Sequence, residues 1–175
     1  MEIKIITAGS PEYPEQLRMI KDPPAKLYCA GRTELLRTMC VAVVGSRKCS
    51  GYGLRVSEKL GRLLARNGVT VVSGLAAGID SAAHRGARGE HGPTIAVLGN
   101  GPDIFYPSGN RGLQLRIVRD GLVVSEYPPG IKPARYSFPR RNRIIAGLSA
   151  AAVVAEAGLE SGVLFTGESP FPNQR

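Results

Sequence analysis

The chain has 175 residues, of which 23 are Lys or Arg and 14 are Asp or Glu, so its formal net charge is +9. This length suits one domain with a sizeable core, and the ordinary hydrophobic share of 43% excludes a largely disordered chain. The basic balance favours a polyanionic partner, although a merely soluble basic protein has the same balance. The aromatic share of only 6% argues against a protein that stacks many bases on its side chains.

The chain has three cysteines, Cys29, Cys40 and Cys49, whose spacing fits neither a zinc site nor a disulfide framework. Two histidines add too few ligands, so we expect no metal. Reduced thiols indicate the cytosol. The first residues lack the pattern of a signal peptide, and no apolar run reaches about 18 residues, so we expect a cytoplasmic protein without membrane contact.

The predicted elements begin with an irregular or helical lead-in at residues 1–38, which contains four prolines and ends in a strand at 26–30. From residue 39 onwards, uniformly apolar runs alternate with segments whose apolar residues have helical spacing. These patterns predict strands at 41–45, 69–73, 94–98, 122–125 and 150–155, and helices at 51–67, 79–90, 111–119 and 141–148.

This alternation predicts an α/β fold: a Rossmann-like, doubly wound, mostly parallel sheet with helices on both faces. We divide the chain into the lead-in at 1–38, packed on the core domain, a Rossmann-like domain at 39–164 and an irregular tail at 165–175. In such a fold, ligands bind beyond the carboxyl ends of the strands, beside the helix N-termini.

Small residues follow two of these strands, as Gly45-Ser46-Arg47 and as Ser73-Gly74. Glycines let backbone N–H groups approach a phosphate, hydroxyls add donors, and an arginine adds a bidentate contact. A tight turn explains any one of these loops, but several of them at one edge favour a phosphate-bearing ligand. The chain has neither G-x-x-x-x-G-K-[ST] nor G-x-G-x-x-G, so no nucleotide cofactor is expected.

Basic residues are concentrated between residues 111 and 143, where eight Lys and Arg accompany only two acids. We place Pro139 just before a helix, so that the next arginines fall in its first turn, where cations oppose the helix dipole. That unfavourable placement indicates that they hold an anion; a solvated basic face is the alternative. The predicted DNA- and phosphate-binding residues are Gly45, Ser46, Arg47, Ser73, Gly74, Lys132, Arg140, Arg141, Asn142 and Arg143.

Three aromatic residues, Tyr127, Tyr136 and Phe138, lie near these arginines in the sequence. Each of them either stacks on a base or simply packs against the protein. Phe138 has the position of a core residue just before a helix, which favours packing there.

An enzyme on this fold needs an acid/base pair, and Glu126 and Glu156, at two strand ends, are the best candidates. His84 has Asp80 four residues before it on the predicted helix. That pair is more typical of a buried histidine beside a local stabilising contact than of a catalytic site.

Several short motifs occur in a fixed order: Tyr13-Pro14, Asp22-Pro23-Pro24, Val41–Arg47 (VAVVGSR), Ser73–Asp80 (SGLAAGID), Tyr106-Pro107, Ser125–Gly130 (SEYPPG), Phe138–Ser149 (FPRRNRIIAGLS) and Ser161-Gly162. Together they resemble the DprA/Smf family of DNA-processing proteins over about residues 13–164. Each motif is modest by itself, but the ordered set is highly specific.

The resemblance implies a non-enzymatic protein that binds incoming single-stranded DNA during natural transformation, protects it and helps to load the recombinase RecA. It implies a basic DNA pocket lined by the Gly45–Arg47 loop and nearby arginines, and a homodimer as the assembly. Family members usually continue further, whereas the family-like pattern here falters at Phe165-Thr166-Gly167, so we expect a truncated family domain.

Two rival functions use the same kind of fold. Nucleoside-monophosphate phosphoribohydrolases carry a Pro-Gly-Gly-x-Gly-Thr loop, and no Pro-Gly-Gly occurs in this chain. A non-enzymatic sensor of a small nucleotide would use the Gly-Ser-Arg loop but would not need the arginines around residue 140.

Overall fold

Within residues 1–157, which the structure describes, the computed structural model contains seven strands in one sheet, five α-helices and two short 3-10 helices. The predicted domain end at 164, the Ser161-Gly162 motif and the tail at 165–175 lie outside the described residues. The strands are β1 (Lys4–Thr7), β2 (Lys26–Gly31), β3 (Cys40–Gly45), β4 (Thr70–Ser73), β5 (Thr94–Leu98), β6 (Leu122–Ser125) and β7 (Ala151–Glu156). The helices are α1 (Glu15–Arg18), α2 (Gly51–Arg66), α3 (Ile79–Gly89), α4 (Arg111–Asp120) and α5 (Ser137–Leu148), with 3-10 helices at Thr33–Arg37 and Ser108–Asn110.

The sheet is mostly parallel, as predicted. Its strands lie in the order β1-β2-β6-β5-β4-β3-β7, with β1 and β2 antiparallel at one edge and the other five strands parallel. The carboxyl ends of those five strands therefore meet at one edge of the sheet. The sequence did not predict β1, because only Ile6 of its four residues is buried, which leaves no visible alternation.

Helices cover both faces of the sheet, as predicted, because neighbouring residues of each strand point to opposite sides. Val72 of β4 packs in a cluster with Ile144 of α5, whereas Val71 packs with Ile79 of α3. Thus α1 and α5 lie on one face, and α2, α3 and α4 lie on the other. Among the described residues, no helix is both long and apolar enough to cross a membrane.

Glycines let α2 and α3 pack closely against each other. A Cβ on Gly61 would meet the carbonyl oxygen of Ala83, and a Cβ on Gly86 would meet the carbonyl oxygen of Glu58. A larger residue at either position would therefore push the helices apart. The side of α2 turned away from α3 carries long charged residues that are exposed.

The last helix, α5, begins at Ser137, earlier than the predicted start at residue 141. Pro139 therefore lies within the first turn, where it is tolerated because the first N–H groups of a helix have no partner inside the helix. The first helical hydrogen bond runs from Arg140 N to Tyr136 O at 3.3 Å. The prediction that these arginines occupy the first turn and oppose the helix dipole is therefore wrong: they follow that turn, where the dipole acts more weakly.

Candidate functional site

A cleft of about 200 Å³ opens at the carboxyl ends of the parallel strands. The loops after β3, β4 and β5 form three of its sides, and the first turn of α5 forms the fourth. Its lining consists of Arg47, Gly74, Ala76, Ala77, Leu98, Gly99, Asn100, Tyr106, Pro107, Phe138 and Arg141. The position matches the edge where a doubly wound sheet binds its ligands.

A cation and two aromatic rings meet at the mouth of the cleft. The guanidinium carbon of Arg47 lies 4.9 Å from the centroid of the Phe138 ring, at a cation–π distance. The centroid of the Tyr106 ring lies 5.5 Å from that of Phe138, with the planes tilted by 31°. Arg47 is exposed and forms no ion pair with any residue in 1–157, so its charge is available to a ligand.

Arg141 forms the buried floor of the cleft. Its Nη1 donates hydrogen bonds to the carbonyl oxygens of Gly74 and Val97, and its Nη2 lies 3.7 Å from Oδ2 of Asp80. The same Asp80 oxygen accepts hydrogen bonds from the backbone N–H groups of Gly74 at 3.1 Å and Ala76 at 3.4 Å. A Cβ at residue 74 would collide with the Arg141 guanidinium, so this close approach requires glycine.

Burial acts on both members of this pair. It raises the pKa of the Asp80 carboxyl, while the Arg141 charge acts in the opposite direction. Burial also lowers the pKa of Arg141, and the positive charge of nearby Arg47 acts in the same direction. The guanidinium groups of Arg47 and Arg141 thus lie near each other at the cleft, and the nearby carboxylate, that of Asp80, is buried. The opening of the cleft is therefore positive and suited to an anion.

The loop after β3 is fixed by local hydrogen bonds. The Ser46 hydroxyl donates to the carbonyl oxygen of Lys48 at 2.7 Å, and the Ser46 carbonyl accepts from Ile79 N at 3.3 Å. Gly78 has a φ of +81°, and a Cβ there would meet the Ser46 carbonyl oxygen. The Gly45–Arg47 loop therefore rests on the start of α3, which sets the direction of Arg47.

Ser73 is placed differently from its predicted role. Its hydroxyl is buried and donates to the carbonyl oxygen of Val43 at 2.7 Å, so it ties β4 to β3 and does not line the cleft.

Arg140 and Arg143 lie outside the cleft lining and form an ion-pair cluster with Glu126 and Asp22. Arg143 donates to both carboxylate oxygens of Glu126, at 3.1 and 2.7 Å, and to Asp22 at 3.1 Å. Arg140 lies 3.3 Å from Glu126 and 3.6 Å from Asp22. The cluster is thus neutralised by carboxylates, one of which lies 121 residues before Arg143 in the chain.

Four more predicted residues lie outside the cleft lining: Gly45 and Ser46, in the loop described above, and Asn142 and Lys132. Asn142 accepts a hydrogen bond from Nε of Arg141 at 3.1 Å and so helps to orient that side chain. Lys132 is exposed on the segment after β6, which approaches the loop after β5 through a hydrogen bond from Gly101 N to Ile131 O at 2.8 Å.

The candidate acid/base pair of an enzyme is not assembled. Glu126 follows β6 and Glu156 is the last residue of β7, and these strands are four strand spacings apart, or about 19 Å. Glu156 accepts hydrogen bonds from Ser50 N at 2.8 Å and from the Ser50 hydroxyl at 2.6 Å, and these bonds lower its pKa. Within residues 1–157, no group of three or more His, Cys, Asp or Glu is placed to hold a metal ion.

His84 is a buried, neutral histidine. Thr94 donates its hydroxyl to the Val71 carbonyl at 2.8 Å, so its oxygen accepts the hydrogen of His84 Nδ1 at 2.7 Å. The other ring nitrogen is buried and has no partner in residues 1–157. Burial, helped by the charges of Arg141 and Arg85, lowers the pKa of His84 to about 3.

Sequence reasoning reaches only part of the aromatic side of the cleft. It leaves Phe138 open between base stacking and packing and favours packing, because the helix is expected to begin after this residue. Tyr106 follows the end of β5 by eight residues, and no spacing rule connects it with Phe138. Gly99 and Asn100 had a signal, since small and polar residues directly after a strand mark this edge of the sheet.

Known proteins resemble this chain in both sequence and fold. Residues 4–175 match the family profile described as DNA recombination-mediator protein A. The chain is 51% identical over 163 residues to DNA processing protein DprA of Streptococcus pneumoniae, covering 93% of this chain and 57% of that protein. It is 45% identical over 163 residues to protein Smf of Escherichia coli, covering 93% of this chain and 44% of that protein.

Two solved structures have the same fold at substantial identity. The crystal structure of S. pneumoniae DprA superposes with a TM-score of 0.89 at 47% identity, over 95% of this chain and 58% of that one. A Helicobacter pylori DprA structure, described for its single-stranded DNA binding mode, gives 0.83 at 36% identity, over 93% of this chain and 74% of that one. The chain spans about half the length of the curated relatives it matches.

Proposed function

Because the chain belongs to the DNA recombination-mediator protein A family, which is that of the DprA and Smf proteins, we propose that it binds single-stranded DNA in the cleft. The observation that carries the proposal is Arg47, an exposed cation without an ionic partner in residues 1–157, held over the ring of Phe138. The description of the H. pylori relative as a single-stranded-DNA-binding protein supports it.

The cleft offers the two kinds of contact that a single strand needs. Arg47 neutralises a backbone phosphate, and the release of its counterions favours binding. A base then stacks on the exposed face of Tyr106 or Phe138, which every base can do because each has a π-face. In a duplex those faces are covered by neighbouring bases, so the geometry favours a single strand.

The remaining residues of the cleft position these contacts. Arg141 and Asp80 hold the loop after β4, and the Gly45–Ser46 backbone sets the direction of Arg47. Among residues 1–157, the only helix that lines the cleft is α5, through Phe138 and Arg141, so no row of side chains is available there to read base edges. Recognition then depends on phosphates and base faces, and sequence preference is weak.

RecA and a second copy of this chain are further proposed partners. The family description as a recombination mediator supports a RecA partner, and a role in natural transformation follows from the same proposal. The test is whether the protein accelerates RecA filament formation on DNA already coated by a single-strand-binding protein. Sedimentation of the same sample measures its oligomeric state.

We also propose that the protein works without catalysis, because Glu126 and Glu156 are far apart and each already binds partners. A phosphoribohydrolase would release free base from nucleoside monophosphates, and we expect none. If the protein were a sensor of a small nucleotide, a nucleoside monophosphate added at the same concentration as the DNA would displace the DNA from the cleft. We expect the DNA oligomer to remain bound.

The experiment is fluorescence anisotropy with labelled oligo-dT and the matching duplex over a series of salt concentrations. We expect salt-sensitive binding that prefers the single strand, weakened about tenfold or more by Arg47→Ala, because a charge-assisted phosphate contact and its cation–π support are lost together. Binding that is equal for both DNA forms, or unchanged by Arg47→Ala in a folded variant, would overturn the proposal.

A further inference from the structure

The exposed face of α2 carries a row of basic residues that the cleft does not use. Residues with spacings of three, four and seven lie on one side of a helix. The row, named here the α2 ridge, consists of Tyr52, Arg55, Lys59, Arg62, Leu63 and Arg66, all of them exposed. The four cations of the ridge line a shallow groove of about 390 Å³ together with Glu58 and Leu63.

The ridge is only partly neutralised. Arg62 lies 3.4 Å from Glu58 and 3.6 Å from Glu90, and Arg66 lies 3.0 Å from Glu90. These carboxylates are themselves partly exposed, and such surface pairs exchange readily for other ionic contacts. Arg55 and Lys59 form no ion pair with any residue in 1–157, so half of the cations of the ridge have no carboxylate partner there.

The ridge is continuous with the cleft. It starts just after the Gly45–Arg47 loop, since Ser50 caps α2 by accepting a hydrogen bond from Gly53 N at 3.0 Å. Lys48 and Tyr52, which come between Arg47 and the first ridge arginine in the chain, are both exposed. The whole helix, Gly51–Arg66, is about 24 Å long, and the cations of the ridge span about 17 Å of it. Its cations recur about every 5–6 Å along the axis, a repeat that suits successive phosphates of an extended strand.

We propose that the α2 ridge binds the phosphate backbone of the same DNA strand after it leaves the cleft. This inference rests on the proposed function, because it assigns the continuation of that strand. The occupant is a polyanion rather than an acidic protein surface, because the exposed apolar residues of the ridge are only Tyr52 and Leu63, too few for a hydrophobic protein interface. Tyr52, at the end near the cleft, offers a ring on which one further base can stack.

The test compares oligo-dT of about five nucleotides, which fills only the cleft, with oligo-dT of about 25 nucleotides, which also reaches the ridge. The variant is Arg55→Glu/Lys59→Glu, which reverses the two ridge cations that have no carboxylate partner within residues 1–157. We expect it to bind the short oligomer like the wild type and to lose about tenfold or more in affinity for the long one. For the long oligomer, the plot of log affinity against log salt concentration should become less steep by about one to two units, because two phosphate contacts are lost.

The matched control is Lys26→Glu/Arg116→Glu, which changes the net charge equally at two exposed residues of β2 and α4. These elements lie on the side of the sheet where β1 and β2 are, whereas α2 packs beside β3, β4 and β7. It should weaken both oligomers equally and slightly, by long-range repulsion alone. The proposal that the ridge binds DNA would be overturned if both double variants had the same effect on both oligomer lengths. It would also be overturned if the ridge variant lost no affinity for the long oligomer. Failure of the proposed function is separate: it appears as short-oligomer binding that ignores Arg47→Ala.

Discussion

The cleft and the ion-pair cluster are neighbouring regions at the same edge of the sheet, and both contain arginines of α5. In the cluster, Arg140 and Arg143 are satisfied by Glu126 and Asp22. In the cleft, Arg47 lies over an aromatic ring without an ionic partner in residues 1–157.

The difference teaches that the density of basic residues in a sequence does not locate an anion site. What decides is whether carboxylates from elsewhere in the chain reach the same place. Arg140, Arg141 and Arg143 lie within a span of four residues, yet two are paired with carboxylates in the cluster and the third supports the cleft from below. The cleft therefore depends on Arg47, a cation without an ionic partner in the described part of the chain, and on buried groups that hold its loops.

The largest effect should come from the floor of the cleft. Arg141→Leu leaves the buried Asp80 carboxyl without its cation, so we expect the free energy of unfolding to fall by about 3–5 kcal/mol. Arg143→Leu, in the cluster, should cost less, about 1.5–3 kcal/mol, because Arg140 still pairs with the largely buried Glu126 carboxylate. Urea unfolding followed by circular dichroism measures both, and equal losses for the two variants would erase the distinction between the regions.

Lowering the pH should destabilise the interior of the protein through the buried residue His84. Its pKa of about 3 in the folded protein lies below the usual value, so the unfolded chain takes up the proton first. Stability is therefore full above about pH 6.5 and falls as the pH drops toward 3, by about 2 kcal/mol at pH 5. Urea unfolding at pH 7 and pH 5 measures this loss, which should be much smaller in His84→Gln; the same loss in both proteins would contradict the role given to His84.

The aromatic part of the cleft should matter for DNA affinity rather than for the fold. Phe138→Leu keeps an apolar side chain but removes the ring below Arg47, so we expect affinity for oligo-dT to fall about tenfold. Tyr136→Leu is the matched control, because Tyr136 is exposed next to the cluster. Anisotropy titrations compare the two, and a greater loss for Tyr136→Leu would move the site toward the cluster.

The smallest effect is expected from removing one of the two carboxylates that pair with Arg140 and Arg143 in the cluster. Asp22→Asn removes one exposed carboxylate, so we expect oligo-dT affinity to rise by less than about threefold through a less negative surface nearby. The same titration measures it at low salt. A rise above about tenfold would show that Arg140 and Arg143 are phosphate ligands held back by Asp22.

The sequence predicted the parts of the molecule that depend on neighbouring residues. Strands such as β3 and β5 are apolar on both faces and read as continuous runs, and their end loops placed Arg47 and Gly74 at the site. The strand β1 has a single buried residue and could not be recognised. The start of α5 was placed too late because a proline within a first turn looks like a proline before a helix.

The rest depends on contacts between distant residues, which no local pattern contains. Asp22 meets Arg143 across 121 positions, and Arg141 reaches back 67 positions to the carbonyl of Gly74. The pairing of Tyr106 with Phe138 is of the same kind. These contacts separate a cation that is available to a ligand from one that is already paired.

The central claim, that DNA lies in the cleft, is tested most directly by photo-crosslinking. A short oligo-dT of about five nucleotides carrying one iodouracil reacts on irradiation with the aromatic ring on which that base stacks. Mass spectrometry of the digested adduct should place the crosslink on Tyr106 or Phe138, the rings next to Arg47. A crosslink on Tyr127 or Tyr136, which lie beside the ion-pair cluster, would contradict the account.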